Sequence, residues 1–153
     1  MSLHLRSSID LSLTSNLRLQ EYAPLLPTRG GVDFYPSIEP YNARIFENSP
    51  PSAWPREADK PNFALPIRCR WSDAKNDEFW LDRLRDITKE IQKIALAERC
   101  TTPETPVYYN LALDGTDVAD IYRGNLTALE QIRKQVDPKN VMNRTGGFRI
   151  RGA

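Results

Sequence analysis

The clearest pattern along the chain is an apolar stripe at helical spacing. Trp80, Leu84, Ile87, Ile91 and Ile94 recur at steps of four, three, four and three, which places them on one face of a helix predicted from about Asp77 to Arg99. Asp82 with Arg85, Asp86 with Lys89 and Glu90 with Lys93 lie three residues apart on its outer side and read as a solvated face. Just before it, Pro66-Ile67-Arg68-Cys69-Arg70-Trp71 alternates apolar and cationic side chains, the pattern of a half-buried strand with Ile67, Cys69 and Trp71 on one face. A second stripe, Tyr122, Leu126, Leu129, Ile132 and Val136, predicts another helix, preceded by a shorter one. Asp137-Pro138 ends it, because the residue before a proline avoids helical backbone. Between the helices, Thr101 to Pro106 is a break, and Val107 to Leu113 is predicted as a strand from its composition.

Toward the amino terminus the period changes to two. Ile9, Leu11 and Leu13, then Leu17 and Leu19, alternate with polar residues around the turn formers Thr14-Ser15-Asn16, which predicts a hairpin or two successive strands within residues 1–22. From Pro24 to Pro66 the chain carries nine of its twelve prolines, together with Gly30-Gly31 and Ser49-Pro50-Pro51, and no period survives. Residues 23–65 are therefore expected to be an irregular connection. Phe34, Tyr35, Tyr41, Phe46, Trp54 and Phe63 make it too aromatic for a plain linker, so it should pack onto something. Residues 66–153 form the third part. Strand, helix, strand without a Gly-rich turn speaks against a dinucleotide-binding fold and for an α+β fold, an antiparallel sheet flanked by helices.

Composition narrows the function classes. At 153 residues the chain has room for one domain with a modest core. A hydrophobic content of 40%, a charged content of 27% and a net charge of +1 lack the basic excess of a nucleic-acid binder. Residues 1–15 never give the apolar run of a signal peptide, and no stretch is long enough to cross a bilayer. These features predict no membrane partner, and a location that is cytoplasmic or else undetermined. Cys69 and Cys100 are far apart with no histidine near them, which predicts two reduced thiols and no metal site. His4 is the only histidine and has no nucleophile near it in sequence, and no phosphate-binding loop or zinc-peptidase motif occurs. Asn125-Leu126-Thr127 and Asn143-Arg144-Thr145 read as chance glycosylation matches. No catalytic residue is identified.

Tyr108-Tyr109-Asn110 is the one polar, aromatic cluster in an otherwise apolar segment. On a strand Tyr108 and Asn110 would share a face, and Tyr109 and Leu111 the other. Taken alone, these are core tyrosines with bonded hydroxyls and an asparagine bonded to loop backbone.

The order of features from Val107 to Ile150, a Tyr-Tyr-Asn strand, an amphipathic helix, Asp-Pro-Lys-Asn-Val and a terminal Gly-Gly-Phe, resembles the carboxy-terminal segment of berberine-bridge-enzyme-like FAD-linked oxidoreductases, particularly the fungal ones of secondary metabolism. In that family the matching strand runs Tyr-x-Asn beside the flavin and the substrate, which fits Tyr108 and Asn110. A tyrosine used by some members as base follows the asparagine directly; here the position is Leu111, which cannot transfer a proton. Ile67 to Glu78 is similar to the family's strand ending in tryptophan before a long helix. Asn125 matches the asparagine of an aromatic-Gly-x-Asn segment, with Arg123 in the glycine position and Gly124 one place later. Asp137-Pro138-Lys139-Asn140-Val141 resembles Asp-Pro-x-Asn-Phe, with Val141 replacing the aromatic and Asn140 expected to close the turn.

The resemblance covers Pro66 to Ile150. It implies FAD as cofactor, with Tyr108, Asn110, Asn125 and Asn140 as cofactor-binding residues, and a small natural-product molecule as substrate. The family's amino-terminal FAD domain, with the histidine and cysteine that attach the flavin in many members, has no counterpart here, and full-length relatives are often secreted. Two readings follow: an oxidoreductase component completed by a separate FAD-domain polypeptide, or a non-catalytic truncated remnant or interaction module. In the second, a sheet left uncovered favours self-association.

Overall fold

A computed structural model of the chain describes residues 20–37, 39–40, 48–55 and 63–150. The predicted hairpin of residues 9–19 lies outside these. The contacts divide the chain into two compact units, Met1–Pro40 with Phe63–Pro103 and Tyr41–Asn62 with Glu104–Ala153. Together the elements make a small α+β fold, as the patterning predicts.

In the first unit β1 (Gly31–Pro36) pairs antiparallel with a later strand, Ile67–Trp71. Two short segments, β2 (Glu39–Pro40) and β3 (Phe63–Ala64), pair with each other, which makes Ile67–Trp71 strand β4. The residues expected to form a wholly irregular connection therefore include β1, β2 and β3. Val32, Phe34 and Tyr35 favour extended backbone, but the strand is only six residues long and begins at a glycine and ends at a proline. The glycine and prolines in the sequence concealed it.

Alternation in β4 has the predicted result. Opposite residues in an antiparallel ladder share a face, so Phe34 and Cys69 form one pair, while Asp33 with Arg70 and Tyr35 with Arg68 form the other face. On the outer face Arg70 pairs with Asp33, and Arg68 donates a 3.0 Å hydrogen bond to the Tyr35 hydroxyl with its guanidinium above that ring. On the inner face Phe34 and Ile67 pack against Ile87, Ile91 and Ala95. Both cysteines are free thiols. Burial first, and the Asp33 charge second, push the Cys69 thiol up to about 11, so it stays protonated at neutral pH.

The buried residues of helix α1 (Asp77–Ala97) are Trp80, Leu84, Ile87, Ile91 and Ala95. The predicted stripe is present, except that Ala95 takes the innermost place at its end and Ile94 is half-buried beside the core. Asp77 and Glu78 in the first turn complement the positive end of the helix dipole. The helix stops two residues short of Arg99, which takes a left-handed conformation (φ 55°) while the Cys100 N–H bonds the Ala95 carbonyl at 2.8 Å. Asp82 and Arg85 pair at 2.9 Å, as their spacing predicts, whereas Asp86 takes Arg83 as partner at 3.3 Å.

Trp80 joins the helix to the sheet. Its side chain is fully buried, its indole N–H donates to the Arg29 carbonyl at 3.0 Å and its ring meets the edge of Phe34. This closeness requires glycine at position 31.

The second unit contains α2 (Val118–Tyr122) and α3 (Leu126–Val136). The strand predicted over Val107 to Leu113 does not form. Tyr109–Leu111 is a single 3-10 turn, and the Val107 N–H bonds the Asp120 carbonyl at 2.9 Å in place of a neighbouring strand. Helix α3 ends before Asp137-Pro138, as predicted. The predicted stripe from Tyr122 to Val136 does not survive as a buried face. A turn at Arg123–Asn125 interrupts it, Ile121 is buried instead, and α3 has no buried residue. No helix among the described residues is long and apolar enough to cross a membrane.

A Cβ at position 31 would lie 2.5 Å from Leu26 Cδ2, 2.8 Å from Trp80 Cζ2 and 2.9 Å from Leu26 Cα. Gly31→Ala should therefore destabilise the first unit by about 1–3 kcal/mol through overpacking, read as a lowered urea midpoint. An unchanged midpoint would contradict the close approach of Trp80 to β1.

Candidate functional site

The 3-10 turn decides how the Tyr-Tyr-Asn cluster is arranged. On a strand, Tyr108 and Asn110 would stand apart on one face. Here the Leu111 N–H bonds the Tyr108 carbonyl at 3.0 Å, the chain doubles back, and the Asn110 side-chain amide donates directly to the Tyr108 hydroxyl at 2.9 Å. The Tyr108 ring meets Tyr109 and Trp54 edge-on, each with centroids 5.3 Å apart.

Trp54 comes from the proline-rich segment, residues 48–55. Its indole N–H donates to the Val107 carbonyl at 2.9 Å. Asn125, just before α3, holds the same segment as well: its amide nitrogen donates to the Ser52 carbonyl at 3.3 Å and to the Ala53 carbonyl at 3.1 Å. Tyr108, Asn110 and Asn125 are thus gathered around one strap of chain. Sequence reasoning did not single out Trp54 as a site residue. The available signal was the high aromatic content of a proline-rich stretch, which indicated packing without naming the surface.

Asn140 belongs to a different place. Helix α3 has eleven residues, about 16 Å in length, and runs from Asn125 to the turn that holds Asn140. There Asn140 takes a left-handed conformation (φ 54°) and its N–H bonds the Asp137 carbonyl at 2.9 Å. It closes the turn, as expected. The Asp137 carboxylate accepts from the Val141 and Met142 N–H groups at 2.8 and 2.9 Å. The Met142 bond first, and the Val141 bond second, hold the Asp137 carboxyl below its ordinary value of 3.8.

Arg123 links α2 to the turn before α3. Its backbone (φ 48°, ψ −130°) lies in a region that suits glycine and strains other residues. Its guanidinium bonds Asp120 at 3.0 Å and the Thr105 carbonyl at 2.9 Å, contacts that hold the residue in place.

The remaining chemical capacity is small. The Asn125 amide nitrogen is directed at two carbonyls of the chain, and that of Asn110 donates to Tyr108. Since the Tyr108 hydroxyl accepts that bond, its own proton is left to donate. A flavin ring needs several donors converging on its polar edge. The Asn125 amide nitrogen is already engaged and Asn140 lies at the far end of α3, so as arranged the four residues do not converge on one flavin edge. Leu111, which the resemblance would set in the position of a base, is 43% exposed and has no ionisable proton. Among the described residues, no group of three or more His, Cys, Asp or Glu could hold a metal.

Comparison with protein families, with curated proteins and with solved structures finds no match for this chain.

Two predictions follow from the backbone. Arg123→Gly and Arg123→Ala lose the same guanidinium contacts, so the glycine variant should be the more stable by about 1–2 kcal/mol in denaturant unfolding. Equal stabilities would show that the positive φ is not held. The folded Asp137 pKa lies below its unfolded value, so the turn's stabilisation is complete above the ordinary carboxylate range and lost as pH falls through the folded pKa. The amide proton shifts of Val141 and Met142 should titrate with a midpoint below 3.8, and should lose that titration in Asp137→Asn. A wild-type midpoint at or above 3.8 would contradict the two amide bonds.

Proposed function

We propose that this chain is a binding module built on the carboxy-terminal pattern of berberine-bridge-like FAD-linked oxidoreductases, and that it does not catalyse redox chemistry on its own. One observation carries this reading. The Asn125 amide, which the resemblance would direct to a cofactor, is spent on the Ser52 and Ala53 carbonyls, so that group of residues closes on its own chain. Leu111 in the base position agrees with it.

A second reading is favoured by the backbone of Arg123 and Asn140. Arg123 takes a glycine-like conformation where the family pattern has glycine, and Asn140 a left-handed one where the pattern has asparagine. In this reading the chain is a component of an FAD-linked oxidoreductase acting on a small natural product in secondary metabolism. A separate FAD-domain polypeptide completes it, and the bound flavin supplies the hydride acceptor. In this reading Tyr108 and Asn110 line the flavin, as the resemblance implies.

Incubation with excess FAD, removal of free cofactor and a visible absorption spectrum test the module reading. The binding module retains no flavin. Retention of about one FAD per chain, lost in both Tyr108→Phe and Asn110→Ala, would overturn it in favour of a chain that holds the cofactor through these residues.

A further inference from the structure

Helix α3 has no buried residue, and a helix of eleven residues is marginal in water without tertiary packing. Its stripe starts half-buried at Leu126 and Leu129 and becomes exposed, with Ile132 at 53% and Val136, one turn later on the same face, at 76%. The Asp137 carboxylate then draws the next residues back to the helix end, where Val141 and Met142 are 51% and 67% exposed. Before α2, Tyr109 and Leu111 are exposed as well.

Charge is divided between the same two places. Residues 104–123 carry four acids, Glu104, Asp114, Asp117 and Asp120, against the single base Arg123; Arg123 pairs with Asp120 at 3.0 Å, and the Asp117 carboxylate accepts from the Ala119 N–H at 2.9 Å. From the start of α3 to residue 150 the chain carries five bases and two acids, Glu130 and Asp137, the latter's carboxylate engaged by backbone. Arg133 and Lys134 in the last turn of α3 also complement the helix dipole; Lys139, Arg144 and Arg149 lie beyond it. The length of α3 lies between the end of the acidic segment and the carboxy-terminal turn.

We infer that the second unit pairs with a second copy of this chain, the acidic segment bearing Tyr109 and Leu111 of each copy facing the basic end bearing Ile132, Val136, Val141 and Met142 of the other. A twofold axis makes both contacts at once, because a closed dimer interface requires a self-complementary surface. Apolar area supplies the drive, and opposite charge sets the register. An acidic protein or an anionic surface would answer the basic end alone and leave Tyr109 and Leu111 uncovered. This extends the binding-module reading by naming the partner.

Analytical ultracentrifugation over a range of concentrations tests it on the full chain. A monomer–dimer equilibrium that weakens with added salt is expected. Val136→Ser, Lys139→Glu and Asp114→Lys should each weaken the dimer about three- to tenfold, and the combined Lys139→Glu/Asp114→Lys should recover most of the loss. All three positions are exposed, and unchanged circular dichroism confirms that the variants fold. A monomer at every concentration overturns the proposal, as does a dimer indifferent to all three variants or a double variant that recovers nothing. A monomer that binds anionic vesicles or an FAD-domain protein instead also overturns it. Retention of FAD is a separate outcome, which overturns the module reading whatever the oligomeric state.

Discussion

Proline removes backbone donors but leaves every carbonyl, and the second unit depends on where those carbonyls find partners. In the segment Ser49-Pro50-Pro51-Ser52-Ala53-Trp54-Pro55 no strand ladder forms among the described residues. The Ser52 and Ala53 carbonyls accept from Asn125, the Trp54 carbonyl accepts from the Ser52 hydroxyl at 2.8 Å, and the Trp54 indole donates in return to Val107. Side chains do the work that a neighbouring strand would do elsewhere. That demand takes up Asn125 and places Trp54 against Tyr108, which in turn bonds Asn110. Residues with the composition of a binding site are thereby used to hold the strap.

The first unit was largely legible from sequence, because its signals are periodic and its packing agrees with them. The stripe from Trp80 to Ile91 is buried as read, and the alternation of β4 sends Cys69 inward and Arg68 and Arg70 outward. What concealed β1 was length and punctuation: six residues bounded by Gly31 and Pro36 give too short a pattern to show a period. Its pairing with β4 is nonlocal, Tyr35 meeting Arg68 across 33 positions, and no local pattern encodes such a partner.

The second unit was read less well, for a different reason. Val107 to Leu113 has strand composition, but β propensity is realised only against a neighbour, and Val107 bonds the backbone of α2 instead. The stripe from Tyr122 to Val136 assumes an unbroken helical phase. Arg123 breaks that phase by leaving the helical region altogether, so Ile121 becomes the buried residue and Ile132 and Val136 turn outward. No local pattern marks an arginine for positive φ, so the break could not be read from the sequence. At the candidate site, the Tyr-Tyr-Asn cluster was legible as polar and aromatic, while the strap that Asn125 and Trp54 hold beside it was not, because those bonds join residues more than fifty positions apart.

Asn140 joins these threads. Its expected place was beside a cofactor, yet its structural task is to let the chain reverse after α3, a left-handed step that asparagine accepts at little cost. That reversal lets the Asp137 carboxylate bind two successive N–H groups and keeps Val141 and Met142 at the helix end instead of trailing away. A turn so well provided with hydrogen bonds would be an odd way to secure apolar side chains for water. Only Ile121 among the described hydrophobic residues of this unit is fully buried, while Val141 and Met142, which the turn organises, are 51% and 67% exposed. The hydrogen bonds of this turn, separate from those that hold the strap at Tyr108, therefore leave the far end of α3 as the surface on which this unit still has something to bury.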